Sequence, residues 1–513
     1  MKKTILFFAI AFIAGKAYGQ GEIDAFKLSQ NDLQGSARGI AMGGAFGALG
    51  GDITGIAQNP AGIGVYRSSE AVATLDFSSV NIETNTLGTI TSDNKFNFSL
   101  ENFAYNLVGY TPSTGELKSL NFGFSYNRLK NFGKNYQERR NGLSSSLTDY
   151  IANYSTRERD LYPNERDGWS YDQGYPWISV LGYNGWLIDH AGSTGNTHKY
   201  ESFLDPGEKV DRTYSVSEKG HIDAYDFTAG ANISDMLYLG LTFSTTDINY
   251  KLNSRHKERL EQGGMFDLDN YLNTKGSGYQ VSAGAIFRPV DEIRLGIAYH
   301  SPTWYHLTDF YYAEVSWNNR RETYTPNDAF SDYKLRTPDR WVASFAGVLG
   351  RKAIVSFDYE YTDYSKMKLN DIDGLYNDYY GEQNSYISED FKGSSTIKAG
   401  LEYKVTPQIA LRVGYSWVES PLEKQFKNGE SEVLPVGTVT AYTLDGDVKS
   451  FSYGAGYRFT PDFYMDFAFV FRKQTNQLYT YSPIFTDGLE VTSISSELKN
   501  NTYRGLLTLG YKF

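Results

Sequence analysis

Every second residue is apolar over stretch after stretch of this sequence, and the last such stretch ends the chain. In Tyr503-Arg-Gly-Leu-Leu-Thr-Leu-Gly-Tyr511-Lys-Phe513, one face carries Tyr503, Leu507, Leu509, Tyr511 and Phe513, and the other carries Arg504, Thr508 and Lys512. Leu237, Leu239, Leu241 and Phe243 alternate in the same way with Tyr238, Gly240, Thr242 and Ser244, and Ile409, Leu411, Val413 and Tyr415 with Ala410, Arg412, Gly414 and Ser416. A period of two is that of a strand with unlike faces. An apolar face backed by Gly, Ser, Asn and charge suits lipid on one side and a polar lumen on the other. Composition agrees. Mean hydropathy is only −0.46, yet there are 42 Tyr and 31 Phe, and no apolar run after residue 19 is long enough for a membrane helix. A soluble sandwich also alternates, but rarely needs so many tyrosines on one strand face. The expected fold is all-β, a transmembrane antiparallel barrel of about fourteen strands.

The N-terminus sets the compartment. Met1-Lys2-Lys3, an apolar run from Thr4 to Gly15 and the small residues of Ala17-Tyr18-Gly19 read as a signal peptide over residues 1–19. Its removal would take away Lys2, Lys3 and Lys16 and make the formal charge of −11 more negative. Such an acidic chain has no footprint for nucleic acid. Cysteine is absent, which excludes disulfides and thiolate chemistry. Six scattered histidines give no metal-ligand spacing, so neither metal nor cofactor is expected. The expected location is the bacterial outer membrane.

The alternation predicts strands near 70–82, 96–110, 119–131, 218–232, 236–250, 277–289, 292–304, 336–349, 352–365, 393–405, 408–420, 448–459, 463–476 and 500–513. Tight turns at 233–235, 289–291, 350–351, 406–407 and 460–462 carry Pro, Asp or Gly. They alternate with long connections near 132–217, 251–276, 305–335, 366–392, 421–447 and 477–499. A periplasmic N-terminus puts every tight turn inside and every long loop outside, the outer-membrane pattern. The barrel domain is thus expected over 69–513.

Residues 20–68 do not read as strand. Ten glycines fall between Gly35 and Gly64. A dinucleotide fingerprint would need a strand before it and a helix after it, and neither is present. The physical reading is a compact segment packed through small residues inside or beneath the barrel. Ser36-Ala-x-Gly39-x-Ala41-Met-Gly43-Gly44-Ala45, then Asp52, then Asn59-Pro60-Ala61-Gly62 resembles the hatch of the FadL/TodX (OMPP1) family. Arg336-Thr-Pro-Asp-Arg340 and Asp358-Tyr-Glu-Tyr-Thr-Asp-Tyr-Ser365 add to that likeness. Gly51-Asp52-Ile-Thr54, where relatives often carry consecutive acids, and the long 132–217 connection depart from it. The resemblance implies a plug within a fourteen-stranded barrel and uptake of long-chain fatty acids or aromatic hydrocarbons. Ligand would be captured by outer loops and released sideways through the wall after the hatch shifts.

Candidate residues follow from both readings. Asp52, Asn59, Pro60, Ala61 and Gly62 are the candidate gate. In the 132–217 stretch, Trp169, Trp177 and Trp186, three of seven tryptophans, interleave with Tyr171, Tyr175 and Tyr183. Trp169, Tyr175, Trp177 and Trp186 are the candidate capture surface, because such pockets are mostly aromatic and aliphatic. The competing reading is a mini-core over the barrel mouth, to which Leu143, Leu147, Tyr150, Ile151 and Tyr154 contribute at helical spacing. Arg294, Asp358, Glu360, Lys398, Glu402, Arg412, Asp466 and Arg472 alternate inward. Asp358 and Glu360 would suit acid–base work, but charges of both signs on neighbouring strands suggest a structural network, and no nucleophile elbow is present. An enzyme is not expected. His300 and His306 leave haem capture as one alternative; a scaffold for secreted proteins is another. Tyr511 and Phe513 form the expected signal for the barrel-assembly machinery. The expected partners are outer-membrane lipid, that machinery and a small hydrophobic ligand, with the barrel a monomer.

Overall fold

A strand crossing lipid must be paired on both edges, and only a closed ring leaves no edge. The computed structural model has that ring. It describes residues 21–110, 112, 115–157, 176–194, 197–318, 320–324, 329–350, 352–372, 379–424, 426, 433, 437–486, 489–491 and 493–513; the expected signal peptide lies outside these residues. The wall consists of β1 (Glu70–Thr86), β2 (Thr89–Tyr110), β3 (Leu117–Asn131), β4 (Val210–Ile233), β5 (Leu237–Leu260), β6 (Met265–Val290) and β7 (Ile293–His300). It continues through β8 (Arg340–Leu349), β9 (Ala353–Asp363), β10 (Gly393–Lys404), β11 (Ile409–Val418), β12 (Tyr442–Arg458), β13 (Phe463–Tyr479) and β14 (Ser496–Lys512). Each pairs antiparallel with the next, and β14 closes on β1 from Glu70↔Lys512 to Asn85↔Glu497. All fourteen expected strands are present.

The alternation points the way its chemistry requires. Leu239, Leu241, Phe243, Leu295, Ile297, Leu411, Val413, Tyr453 and Leu509 face outward and exposed, whereas Thr242, Ser244, Ser282, Ser344 and Ser452 are buried inside. Inter-strand register holds this assignment around the ring, because a one-residue slip would exchange the faces.

Three expected boundaries need correction. The 251–276 connection is largely a hairpin, with β5 and β6 joined by residues 261–264 alone. The 132–217 connection is shortened at both ends: Lys134–Leu143 pairs with β4 from Glu218 to Val210. Within 305–335, Trp304–Trp317 pairs with β6 and with Phe330–Arg336. The physical reason is an exchange of faces. On β6, Tyr279, Val281 and Phe287 are exposed outside, but farther along the same strand Phe266, Leu268 and Leu272 are buried inside. Where the wall leaves lipid, water is outside and a dry core is inside, so the apolar positions change parity. A fourth difference is the β1–β2 connection, the two-residue turn Leu87-Gly88 on the long-loop side. Both residues have positive φ, 45° and 92°, as a type I′ hairpin turn requires.

Candidate functional site

The segment before β1 folds into short helices set by local caps. They are α1 (Glu22–Ser29), α2 (Ala37–Ala41), α3 (Ile53–Gln58) and a 3-10 turn, Pro60–Val65. Ser36 caps α2 by accepting from Gly39 N at 3.1 Å. Asp52 caps α3, accepting from Thr54 N at 3.0 Å, and also accepts from the Ser36 hydroxyl at 2.7 Å. Asn59 accepts from Ala61 N at 3.1 Å while Pro60 opens the 3-10 turn. That is an Asx-type corner whose Pro position needs no backbone donor.

This segment lies against the inner wall, and the wall makes room for it with glycines. A Cβ on Gly240 would sit 2.2 Å from the Pro60 carbonyl, and one on Gly284 would sit 1.9 Å from Asn59 Oδ1. Gly296 faces Gly47, Gly400 faces Met42, and Gly414 faces Gly43. Gly230, Gly240 and Gly284 are direct register partners, as are Gly400 and Gly414, so the small residues form two arcs of a belt. Asn59 is keyed into the first arc: its Nδ2 donates to Gly47 O at 2.8 Å and to Ala285 O at 3.1 Å. Gly62 packs on Gly50 and Gly55, where an added Cβ would come within 3.2 Å of the Gly55 carbonyl carbon. Ala61 is fully buried beside Tyr238 and Ile286.

The inward charges bind this segment rather than only one another. Arg38 donates through Nε to Glu402 Oε2 at 2.8 Å and through Nη2 to Oε1 at 3.1 Å. Arg412 bridges Glu402 and Asp466 behind it. Asp358 accepts from the Phe46 and Gly47 amides, both at 2.9 Å. Lys398 pairs with Glu360 and donates to Gln58 Oε1, and Arg340 joins Glu360 at 3.6 Å. Arg294 donates to the Leu49 carbonyl. His300 is buried between Ser282 and the Gln58 carbonyl, whereas His306 faces outward; the two do not share a site. Arg38, Gln58 and Arg340 were not among the sequence candidates. Arg38 is the only charge between Gly35 and Gly51, a signal that was available.

Above the segment lies a cavity of about 290 Å³, lined by α1, by Asp32 to Gln34, and by wall residues including Arg128, Lys130, Asp76, Glu101, Arg472 and Arg504. It abuts an interruption in the wall. The β2–β3 ladder runs from Tyr110↔Leu120 to Asn102↔Asn127 and stops, although both strands continue. Bulges flank the opening, with Glu101 left over opposite β1 and Leu129 opposite β4. Bulges bend a strand and end its pairing. Side chains span the opening: Asn97 donates to Gly133 O at 2.9 Å and Lys95 to Glu218 O at 2.7 Å. Phe96 and Phe98 are exposed on its outer side.

The mouth is covered by a folded core. Helices α4 (Leu147–Arg157), α5 (Trp177–Asn184) and α6 (Gly381–Asp390) bury Leu147, Tyr150, Ile151, Val180, Leu181 and Ile387. Trp177 packs on Tyr311 with ring centres 5.5 Å apart. Trp186 is 65% exposed in a left-handed conformation, φ 59°. Trp169, Tyr171 and Tyr175 lie outside the described residues. Trp177 therefore sits in the mini-core and Trp186 on the surface. At the opposite end Tyr511 and Phe513 are exposed, and Phe513 lies 5.7 Å from the Tyr105 ring. Among the described residues no group of three His, Asp or Glu is arranged for a metal.

A closed barrel with an apolar outer belt and its own N-terminal segment against the inner wall defines an outer-membrane barrel protein. Residues 232–496 match the family described as outer membrane protein transport protein (OMPP1/FadL/TodX), and the chain belongs to that family. It is 25% identical over 226 residues to outer membrane protein P1 of Haemophilus influenzae, covering 42% of this chain and 44% of the relative. It is 26% identical over 243 residues to the 47 kDa outer membrane protein of Pasteurella multocida, covering 46% and 50%. These matches span about half the length of those relatives. Among solved structures, a Pseudomonas aeruginosa FadL homologue superimposes with TM-score 0.53 at 12% identity, over 94% of this chain and 100% of that one. The Pseudomonas putida toluene transporter TodX does so with TM-score 0.50 at 12% identity, over 94% and 99%. At such identity the likeness concerns fold. The protein resides in the outer membrane.

Proposed function

We propose that this barrel takes up long-chain fatty acids, holding them in the cavity beside α1 and releasing them into the membrane through the opening between β2 and β3. The observation that carries this reading is the contiguity of cavity and opening: Asn97 and Glu101 on one side, and Arg128 and Lys130 on the other, belong to both. Lys130 favours an acid over a neutral aromatic hydrocarbon. Its Nζ donates to Lys27 O at 2.9 Å and to Gln30 Oε1, with no carboxylate at ion-pair distance among the described residues. A ligand carboxylate would supply that charge, and opposite charges attract more strongly in a site shielded from water than in bulk solvent. The segment 21–66 serves as the hatch. Its Asn59-Pro60 corner and the Arg38–Glu402 pair are the contacts that must shift if ligand is to move deeper.

The absence of native cysteine makes the exit route testable. A Cβ on Gly133 would lie 2.2 Å from Asn97 Oδ1, so Asn97→Cys with Gly133→Cys should form a disulfide across the opening. Oxidised cells should lose uptake of a labelled long-chain fatty acid and regain it on reduction, with barrel content unchanged on gels. Uptake unaffected by the cross-link would establish an axial route and overturn the sideways one.

A further inference from the structure

The outer surface just beyond the aromatic belt carries a feature unrelated to the lumen. On β12 and β13, Phe451 lies opposite Phe471, and on β14 Tyr503 lies opposite Phe471, forming the outer aromatic row. Two residues farther from the periplasm, Lys449 lies directly opposite Lys473. Like charges directly opposed across a ladder repel and destabilise the sheet, so an anion between them would relieve the repulsion. The described residues do not supply one. Neither lysine has an ion pair or hydrogen bond among the described residues, and both are exposed. The nearby Asp447 is occupied by the Trp417 indole N–H at 3.1 Å and the Ser420 amide at 2.9 Å. One step higher, Lys499 already has Glu83 and Glu497.

The height of the pair selects the partner. Two residues along a tilted strand rise about 5 Å, so the ammonium groups stand at the headgroup layer, immediately above the rings that mark the edge of the hydrocarbon. The outer leaflet of an outer membrane is built of phosphorylated glycolipid. We infer that Lys449 and Lys473 clamp a phosphate of that glycolipid headgroup. Cross-strand partners have Cβ atoms about 5 Å apart, which lets two flexible lysine side chains converge on one phosphate. The same row continues through Asn501 and Asn81, amides able to donate to sugar or phosphate oxygens. A second opposed pair, Lys219 and Lys251, provides an internal comparison. It stands six residues beyond Tyr225 on β4, about 15 Å above the aromatic row, too high to reach a headgroup that carries no outer sugars.

The test uses the full-length barrel in detergent and bisphosphorylated lipid A lacking core sugars, with bound lipid measured by native mass spectrometry. Lys449→Gln with Lys473→Gln should weaken binding about tenfold, while Lys219→Gln with Lys251→Gln, an equal charge change, should leave it within about twofold. Dephosphorylated lipid A should bind wild type about as weakly as the double variant, and inorganic phosphate should not compete. Heat-modifiability on gels verifies that each variant is folded. Equal losses from both lysine pairs would reduce the effect to net charge. Undiminished binding of the Lys449/Lys473 variant or of dephosphorylated lipid, or full competition by free phosphate, would overturn the site.

Discussion

Gly284 and Leu411 are both membrane-spanning positions on the wall, but one faces the N-terminal segment and the other faces lipid. Leu411 shares a row with Ala455, Phe467 and Leu507, and Leu507 is midway between the rings of Tyr503 and Tyr511. Leu411→Arg should therefore lower barrel stability by about 2–4 kcal/mol, the cost of a midplane cation, seen as a shifted midpoint in a refolding titration. Gly284→Ala acts elsewhere. Its methyl would meet Asn59 Oδ1 at 1.9 Å, so Asn59 must leave the groove and lose its bonds to Gly47 and Ala285. The expected result is a normal barrel midpoint with faster proteolysis within residues 21–66. Equal barrel destabilisation by both substitutions would mean the wall and the segment fold as one unit. Alternation alone made Gly284 legible as an inward residue. It did not reveal that Pro60 and Asn59 press on that face, because the approaching backbone lies more than two hundred residues away in sequence.

At the scale of elements, strands were legible where lipid imposed one polarity and illegible where water reversed it. Residues 251–260 and 265–276 keep perfect alternation, yet Leu252, Leu260, Phe266 and Leu268 occupy the parity that Thr242 and Ser282 hold lower down. A rule that seeks one apolar face therefore ends both strands early. The hidden extension has a consequence for α4. Glu258, some 13 residues beyond the aromatic level on β5, accepts from the Leu147 amide at 3.1 Å and from Ser146 Oγ, so a wall carboxylate caps the helix and meets its positive end. Burial pushes the Glu258 carboxyl up, but hydrogen bonding and charge from His256, then Arg212, outweigh it and hold the group below its ordinary 4.5. A depressed carboxyl contributes stability that is complete above its unfolded value and is lost as pH falls through the folded one. Protection of the α4 amides in hydrogen exchange should thus hold from neutral pH to about 4.5 and decline below it. Glu258→Gln should lower that protection already at neutral pH, by about 1–2 kcal/mol. Unchanged exchange in that variant would show that α4 is held by its apolar face alone.

Across the whole molecule, two closures lie in series. The folded loops cover the mouth, the N-terminal segment lies against the inner wall, and α1 joins the two: Phe26 packs 5.2 Å from Tyr364 and 5.2 Å from Phe391, next to α6. Lys27 at the other side of α1 pairs with Glu218 at 3.8 Å. On the proposed uptake route, displacement of the loops by ligand would have a mechanical path to the N-terminal segment, through a helix that also lines the cavity. The barrel ladder owes nothing to this segment, since every wall strand is paired with its neighbours without it. Deleting residues 22–66 should therefore yield a heat-modifiable barrel at normal abundance. The cells should become sensitive to small polar antibiotics, because the glycine belt and its ring of charges would be left facing water. Sensitivity should be partial while the mouth core remains, and should increase when Ile151 and Leu181 are also replaced by Asp, which places charge in that core. Replacing Phe26 by Ala within the intact segment should reduce fatty-acid uptake without antibiotic sensitivity, since it severs the link between the closures and leaves both in place. A Phe26→Ala barrel with normal uptake would show that the closures open independently. A deletion strain that stays fully resistant even with the mouth core disrupted would show that the N-terminal segment does not seal the lumen.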